Sequence, residues 1–190
     1  YRARPDNIRE NHGQEQSIIQ GGYGRKQLQE LVQNAIDPLK DEPGDIRVIL
    51  TDDCLYVANQ GRPFDKAGVK TLLHSNMSDK RDGQIGRFGL GFKSVLQVSD
   101  RPQIFSGQLA FGFDAERSRQ ELSSIAPSSP GYPVLRLPYS LDAELERASD
   151  ATLDELRREF VTVVRLPLND GHGLIRQQIE DFPGEVLLFS

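Results

Sequence analysis

Three closely spaced glycines stand directly before an apolar run in the segment GQIGRFGLGFKSVLQVSD, residues 83–100. Gly86, Gly89 and Gly91 have no side chains, and they come just before FKSVLQV, a segment that predicts a helix. Glycine lets another group approach the backbone closely, and the free N–H groups at the start of a helix attract anions. The segment therefore predicts a phosphate-binding turn. The alternative is a glycine-rich turn that only packs a helix tightly.

The glycine spacing excludes the two commonest phosphate-binding motifs. A Walker loop needs a glycine immediately before Lys-Ser or Lys-Thr. Here Phe92 separates Gly91 from Lys93. A dinucleotide fingerprint follows a strand, whereas the polar stretch HSNMSDKRDGQ precedes these glycines, and the third glycine would fall on Ser94. The segment fits neither motif.

The rest of the chain predicts helices and strands in blocks rather than in strict alternation. Apolar residues from Leu28 to Ile36 repeat with a helical period, and Pro38 should end or kink that helix. The segments DIRVILT and CLYVAN predict a β-hairpin. The most β-branched run, FVTVVRLPL, should be a central strand. We therefore expect an α+β two-layer sandwich, with a mixed, mostly antiparallel sheet covered on one face by helices.

Shorter elements complete this prediction. Asp65 should cap a helix that runs through Leu73, and Gly107 should separate two strands, PQIFS and QLAFGFD. The remaining predictions are a loop over 114–131, a strand at PVLRLPY, a helix at LDELRREF begun by a capping box of Thr152 and Glu155, and a closing helix at GLIRQQIEDF.

Composition limits the classes of function. With 190 residues and 37% hydrophobic content, the chain suits one domain, at 23–190, behind a polar, poorly ordered N-terminal arm, 1–22. A net charge of -5 gives no global basic footprint for nucleic acid. The lone Cys54 excludes an internal disulfide, and three scattered histidines form no metal-ligand cluster. No apolar run is long enough to cross a membrane. With a single cysteine, the default expectation is a reducing cytoplasm.

The predicted helix ELVQNAID, residues 30–37, carries polar residues on one stripe. Glu30, Asn34 and Asp37 stand at i, i+4 and i+7, and the apolar residues between them point elsewhere. Glu30 is suited to deprotonating a water, and the oxygen of Asn34 is suited to binding Mg²⁺. Asp37 is suited to accepting hydrogen bonds from a ligand or its waters. The alternative is an ordinary solvated helix face.

A third segment, VANQGRPF, ends a predicted strand. Asn59 presents both a hydrogen-bond donor and an acceptor, and a glycine turn follows it. Such a side chain is able to read the edge of a base. The alternative is a strand that simply ends in a turn.

In order and spacing, these segments resemble the GHKL ATPase superfamily, the Bergerat-fold group of gyrase-type, heat-shock-chaperone-type and MutL-type ATPases, with histidine kinases as a remote branch. ELVQNAID is similar to the N-box, NQGRPF to the first glycine motif and GRFGLGFKS to the second. The strand with Thr162 resembles the late threonine strand, and the resemblance covers roughly residues 23–168. Glu30 favours hydrolysis over transfer to histidine. GRFGLGFKSV, the PF of the first motif and the closing EVLLFS resemble the sacsin-like and heat-shock-chaperone branch.

The resemblance implies a role for each matching residue. Glu30 would be the general base, Asn34 the ligand of Mg²⁺, and a lid over residues 74–85 would close on ATP. Lys80, Arg87 and Lys93 are candidates for neutralising phosphate charge, against the alternative of solvated surface cations. The implied nucleotide-binding residues are Asn34, Asp37, Asn59, Gly61, Phe64, Lys80, Gly86, Gly89, Leu90, Gly91, Phe92, Lys93 and Thr162.

At two positions the chain departs from the family pattern. The family usually has Asp where this chain has Asn59, and that Asp accepts the amino hydrogen of adenine. Asn59 is able to hold adenine through its carbonyl oxygen or, turned over, to donate to the keto oxygen of guanine. Pro63 replaces a usual glycine and stiffens the turn. We expect ATP as the ligand.

The resemblance also implies partners. In the family, the ATP cycle usually drives dimerisation or clamp closure of a larger protein. We therefore expect slow Mg²⁺-dependent hydrolysis that acts on other domains of a longer chain, an ATP-dependent homodimer, and no membrane partner. Three other functions stay open: a MutL- or gyrase-like nucleic-acid-remodelling or defence ATPase, a nucleotide-gated interaction module without hydrolysis, and a histidine-kinase domain.

Overall fold

The computed structural model describes residues 1–21, 26–40, 43–74 and 91–182. Within these ranges the strands are β1 (Ile46–Leu50), β2 (Cys54–Asn59), β3 (Gln103–Ser106), β4 (Leu109–Gly112), β5 (Tyr139–Ser140) and β6 (Thr162–Pro167). The α-helices are α1 (Asp6–Gln20), α2 (Gln27–Ile36), α3 (Lys66–His74), α4 (Ala115–Ser123), α5 (Ala143–Ser149), α6 (Ala151–Glu159) and α7 (His172–Glu180). Two 3-10 helices span Asp37–Leu39 and Phe92–Gln97.

The strands of the described residues form one antiparallel sheet in the order β1-β2-β6-β3-β4-β5. β6 lies between β2 and β3 and is antiparallel to both, so the β-branched run is a central strand as predicted. The hairpin of β1 and β2 has Ile46 opposite Asn59 and Leu50 opposite Leu55. The predicted α+β sandwich with a mostly antiparallel sheet is confirmed.

The main core lies on the sheet face that the helical layer covers. Leu55 and Val57 of β2 and Val164 of β6 belong to it, because alternate residues of a strand point to the same face. Each fully buried side chain of this size stabilises the fold by about 1.5–3 kcal/mol. The helical layer contributes Leu31, Ala35, Leu72, Phe92, Val95 and Ile175, from α2, α3, the 3-10 helix Phe92–Gln97 and α7.

A smaller core lies on the opposite face, beneath α6. Leu153, Leu156 and Phe160 of the α6 region pack there against a set of strand residues, which comprises Tyr56, Ala58, Phe105 and Val163. β2 and β6 are consequently buried on both faces, which explains why their sequences read as nearly continuous apolar runs. This packing adds a helix to the sheet face opposite the expected helical layer.

Arg165 of β6 anchors α5 and α6 to the sheet. Its Nη1 lies 2.7 Å from Oδ2 of Asp150, and its Nη2 pairs with Glu146. Oη of Tyr56 donates to the same Asp150 oxygen at 2.8 Å. Burial alone would raise the pKa of Asp150, but hydrogen bonds from the first turn of α6, the guanidinium and the tyrosine hold it below its usual value. The ionised carboxylate therefore both caps α6 and pairs with a buried cation.

Several other predicted elements are confirmed. Oδ1 of Asp65 accepts a hydrogen bond from the Gly68 amide at 2.7 Å and so caps α3. Gly107 has φ 55° in the turn between β3 and β4, the left-handed region that favours glycine. The helix expected at FKSVLQV is a 3-10 helix, in which Oγ of Ser94 donates to the Gly91 carbonyl at 2.7 Å. None of the helices in the described ranges has the length and apolar character needed to span a bilayer.

The poorly ordered N-terminal arm is a wrong prediction. Residues 6–20 form α1, and its Ile8 and Glu15 are buried. No continuous apolar stripe marks this helix, because only these two of its side chains are fully buried. Polar contacts with distant parts of the chain hold it, and a sequence pattern does not reveal those contacts.

Two predictions in the second half of the chain are also wrong, and a third predicted element, the helix at LDELRREF, is confirmed with a different cap. The loop expected over 114–131 contains α4, which begins where Oδ1 of Asp114 accepts from the Arg117 amide at 2.8 Å. The strand expected at PVLRLPY is limited to β5. The helix expected from Thr152 begins earlier, because Asp150 caps it by accepting from the Leu153 amide at 2.8 Å. Asp150, two residues upstream, thus takes the place of the predicted capping box, and its contacts with Arg165 and Tyr56 of the sheet hold it in that position.

Candidate functional site

The α2 helix and the second glycine motif meet at Glu30 and Gly91. Gly91 precedes the 3-10 helix with φ -64° and ψ -42°, a conformation open to any residue. A Cβ added to Gly91 would overlap Oε2 of Glu30 and lie 2.7 Å from its Cδ. Glycine is therefore needed here for space. The carboxylate of the predicted base lies on bare backbone at the end of the predicted phosphate-binding turn.

Asn34 and Asp37 follow Glu30 along the same stripe and carry buried polar atoms. Asn34 is 4% exposed, and its Nδ2 has no hydrogen-bond partner among the described residues. Oδ1 of Asp37 lies 2.5 Å from Nζ of Lys40, whereas its Oδ2 is buried without a hydrogen-bond partner in the same ranges. A buried polar atom left unpaired costs about 1–3 kcal/mol. Both side chains are thus available to a polar ligand.

Polar side chains at the ends of three neighbouring strands lie side by side. Asn59 is opposite Thr162, which is in turn opposite Ser106. The alternation along each strand puts all three on the main-core face, where α2 packs. Oγ of Ser106 and Oγ1 of Thr162 are 2.6 Å apart. Oδ1 of Asn59 is buried, and no described residue donates a hydrogen bond to it.

The first glycine motif connects the end of α2 to this polar strand edge. A Cβ on Gly61 would lie 2.7 Å from Cβ of Pro38 and 2.8 Å from its carbonyl oxygen. The Phe64 amide donates to Oγ of Ser106 at 2.9 Å, and the Phe64 ring packs against the main core. The four segments that sequence analysis singled out therefore converge on one region.

A pocket of about 180 Å³ opens in this region. Drug-sized ligands occupy pockets of about 300–1,000 Å³, so this pocket by itself is too small for a nucleotide. The predicted site residues Lys80, Gly86, Gly89 and Leu90, together with Arg87 and the predicted lid beyond His74, lie outside the described residues. The pocket is lined by Asp37, Pro38, Arg62, Pro63, Phe64, Asp65 and Gly68.

Phe92 and Lys93 follow Gly91 into the interior. Phe92 is part of the main core. Lys93 is 1% exposed, which excludes the alternative of a solvated surface cation for this residue. Burial, assisted by the nearby charge of Arg136 and opposed by Glu15, lowers the pKa of Lys93 to about 8. Its ammonium group therefore lies among charges of other elements.

The donor set suits a hard cation beside phosphate. Asn34 on α2 and Asp37, just past the end of α2, offer amide and carboxylate oxygens about one turn apart, and Mg²⁺ is usually held by one or two such groups, with phosphates and waters completing the octahedron. The unpaired Oδ2 of Asp37 suits a cation or one of its waters, whereas the unpaired atom of Asn34 is the donor Nδ2, which suits a phosphate or water oxygen. The oxygens of these two residues therefore fit the ion that the resemblance implies, and the Asn34 donor fits the phosphate beside it.

Ser106 is a site residue that sequence analysis missed. It ends β3 immediately before the turn at Gly107, where a serine is unremarkable. Its importance comes from its register opposite Thr162 and its hydrogen bond from Phe64, which join two predicted motifs. The pairing of β3 with β6 is a contact between distant parts of the chain, and no local signal would have identified it.

Parts of the chain are similar to two much longer proteins. It is 38% identical over 104 residues, 52% of its length, to Protein NO VEIN of Arabidopsis thaliana. It is 42% identical over 55 residues, 28% of its length, to Sacsin of Homo sapiens. The aligned regions make up 4% and 1% of those two proteins. No family model matches the chain. The partial similarities support a sacsin-like region.

Proposed function

We propose that this chain is a GHKL-type domain that binds ATP with Mg²⁺ and hydrolyses it slowly. The observation that carries the proposal is the convergence of buried, unpaired polar atoms from Asn34, Asp37 and Asn59 on one side of the sheet. Buried polar atoms without partners are costly, and the presence of three of them on predicted binding residues supports the proposal.

The strand ends would bind the base. The unpaired atom of Asn59 is the acceptor Oδ1, which suits the amino group of adenine better than the keto oxygen of guanine. Beside it, the hydroxyl pair of Ser106 and Thr162 supplies further donors and acceptors. An adenine nucleotide is therefore the ligand that this arrangement favours.

The polar stripe of Glu30, Asn34 and Asp37 would lie beside the phosphates. Mg²⁺ held through Asn34 would neutralise phosphate charge when it is bound. Glu30 has the carboxylate needed to orient and deprotonate a water, and its position on Gly91 puts it beside the predicted phosphate-binding turn. The backbone around Gly91 would supply donors to the phosphates.

The work of such a cycle would be done in a larger protein. The two relatives are far longer than the regions they share with this chain, and one of them is named Sacsin. By analogy we propose that hydrolysis here drives a conformational change in a sacsin-like or chaperone-like assembly, with an ATP-dependent homodimer as one form of it. The proposal includes a cytoplasmic location.

Phosphate release by Glu30→Ala and by the wild type tests the proposal. The loss of a general base should lower turnover about 10²- to 10⁴-fold, while nucleotide binding persists. Gln29→Ala is the matched control, since Gln29 is the exposed neighbour on the same helix and should keep the wild-type rate.

The same assay separates the proposal from its rivals. If the wild type binds ATP without releasing phosphate above the Glu30→Ala background, the chain is a nucleotide-gated module without hydrolysis. If it transfers phosphate to a histidine-containing acceptor and releases none to water, it is a kinase-type domain. Neither result is compatible with the ATPase assignment.

A further inference from the structure

The helix α1 is joined to the candidate site by a buried charge cluster. Glu15, at the centre of this cluster, is 1% exposed. Its Oε2 accepts a hydrogen bond from the Val134 amide at 2.8 Å, and its Oε1 accepts one from the Leu135 amide at 3.0 Å. A buried carboxylate with both oxygens occupied by backbone donors is held in a fixed position. α1 is thus fastened to the segment 134–136.

Two cations share this interior with Glu15. Lys93 of the 3-10 helix is equally buried. The charges of Lys93 and Arg136 act to lower the pKa of Glu15, against the larger effect of burial, which raises it. The charge of Glu15 in turn acts to raise the pKa of Lys93, and that of Arg136 acts to lower it. Nη1 of Arg136 donates to the carbonyl of Leu73 in the last turn of α3, where carbonyls lack intrahelical partners. The cluster therefore joins α1, α3 and the 3-10 helix that begins after Gly91.

Hydrogen-bonded glutamines form a second connection between α1 and the 3-10 helix, and they extend it to α2 and α7. Gln97 of the 3-10 helix donates to the Ile19 carbonyl of α1 and accepts from Gln27 of α2. Gln178 of α7 donates to Oε1 of Gln27 at 2.6 Å, and its own Oε1 accepts from the Leu28 amide at 2.9 Å. These hydrogen bonds fix the start of α2, three residues before Glu30, relative to the 3-10 helix.

We propose that Glu15 is a positioning residue through which α1 holds the 3-10 helix, and with it Gly91, in the arrangement that the nucleotide requires. α1 docking and nucleotide binding would then stabilise each other, and linkage makes the effect reciprocal. The nucleotide half of this inference rests on the proposed function. In this arrangement Lys93 balances the charge of Glu15 and serves the phosphates only indirectly.

The test uses the full 190-residue chain with Glu15→Gln, and Glu10→Gln as the control. Glu10 lies on the same helix, where its carboxylate accepts an exposed hydrogen bond from Nε2 of Gln14 at 3.3 Å. Without nucleotide, Glu15→Gln should speed amide hydrogen exchange in α1 and also in residues 92–98, and Glu10→Gln should change neither. An effect confined to α1 would overturn the positioning role.

Nucleotide supplies the second readout. In the wild type, Mg²⁺-ATP should slow amide exchange in α1, and Glu15→Gln should weaken ATP affinity by about 5- to 150-fold, the usual range of coupling between sites. Wild-type binding with equal affinity in Glu15→Gln would overturn the inference. If the wild type binds no nucleotide at all, the proposed function fails, while faster exchange of 92–98 in Glu15→Gln still supports the positioning of the 3-10 helix.

Gln97→Met is a second variant that tests the same coupling if Glu15→Gln does not fold. It removes the glutamine connection between α1 and α2 without leaving a buried charge unpaired. It should produce the same pattern, faster exchange in residues 92–98 and weaker ATP binding. Glu15→Asp keeps the charge on a shorter side chain. The coupling would be contradicted if Gln97→Met left both the amide exchange of residues 92–98 and the ATP affinity unchanged and Glu15→Asp also left the ATP affinity unchanged.

Discussion

The carboxylate of Glu30 lies directly against the α-carbon of Gly91, so that a helix and a glycine motif 61 residues apart in sequence share one site. The backbone angles at Gly91 are ordinary helical values, and steric space alone requires glycine there. This contact puts a carboxylate, a group suited to general-base catalysis, next to the predicted phosphate-binding turn. The first prediction follows from it.

Gly91→Ala should impair turnover far more than stability. The added methyl group collides with the flexible end of Glu30, which can swing away at little cost in folding free energy. A displaced base should lower the rate of phosphate release by about 10²-fold or more. Phosphate release and urea unfolding of the same variant check this. Loss of stability with normal turnover per folded molecule would contradict it.

Gly61→Ala should show the reverse balance. Its methyl group would lie 2.8 Å from the backbone carbonyl of Pro38, and a backbone cannot swing away as a carboxylate can. We expect the free energy of unfolding to fall by about 1–3 kcal/mol, as for other overpacked sites. Gly13→Ala is the control, because nothing lies within 4 Å of its added methyl in α1, and it should stabilise the chain. Equal urea midpoints for all three proteins would exclude this account.

Asn59→Leu should stabilise the chain while it destroys nucleotide binding. Leucine has a similar shape and lacks the buried acceptor that no described residue satisfies. The free energy of unfolding without ligand should rise by about 1 kcal/mol, and the thermal shift produced by ATP should disappear. Urea unfolding and thermal melting with nucleotide measure the two effects. An ATP-induced shift equal to that of the wild type would show that Asn59 does not contact the base.

Lys93 should make stability rise with pH above neutrality. Its pKa is lowered from 10.5 in the unfolded chain to about 8 in the folded protein, mainly by burial. Between these two values the unfolded state binds the extra proton, so the free energy of unfolding increases as the pH rises and the gain is lost as the pH falls through about 8.

The variant Lys93→Met isolates this effect. The difference in unfolding free energy between the wild type and Lys93→Met should favour the wild type more at pH 9 than at pH 7. Lys70→Met, at an exposed position of α3, should show no such pH dependence. Urea titrations at both pH values give the answer, and parallel pH profiles for wild type and Lys93→Met would refute a buried ammonium.

Much of the fold was predictable because its signals are local. The alternation in β1 and the helical period of α2 follow from burying one face of an element, and the β-branched run of β6 follows from burying both faces of a central strand. The cap of α3 at Asp65 and the turn at Gly107 depend on single residues with specific backbone roles. Neighbouring residues carry all of these signals.

The wrong predictions share a different cause. The buried residues of α1 are Ile8 and Glu15. The hydrogen-bond partners of Glu15, Val134 and Leu135, lie 119 and 120 residues away in sequence. α6 begins at Asp150 because that carboxylate also meets Arg165 and Tyr56 from the sheet. Tertiary contacts of this kind override local propensity, and a single sequence does not display them.

The candidate site also contains residues of both kinds, those with local sequence signals and those identified only by tertiary contacts. The spacing of Glu30 and Asn34 on α2 identified the polar stripe, and the glycines identified its neighbours. Ser106 is identified only by the register of β3 and β6, and only the packing shows that Lys93 is buried near the charges of Glu15 and Arg136. The sequence thus indicates which residue types meet, and the packing determines what each of them contacts.

Titration calorimetry of Mg²⁺-ATP into the 190-residue chain decides whether it binds a nucleotide. We expect saturable binding at one site per chain, binding of ADP at the same site, and weaker binding of GTP because Asn59 presents an acceptor. Asn34→Ala should bind ATP more weakly in Mg²⁺ than the wild type does. No heat of binding with ATP or ADP at millimolar concentration would contradict a nucleotide site at Asn34, Asp37 and Asn59.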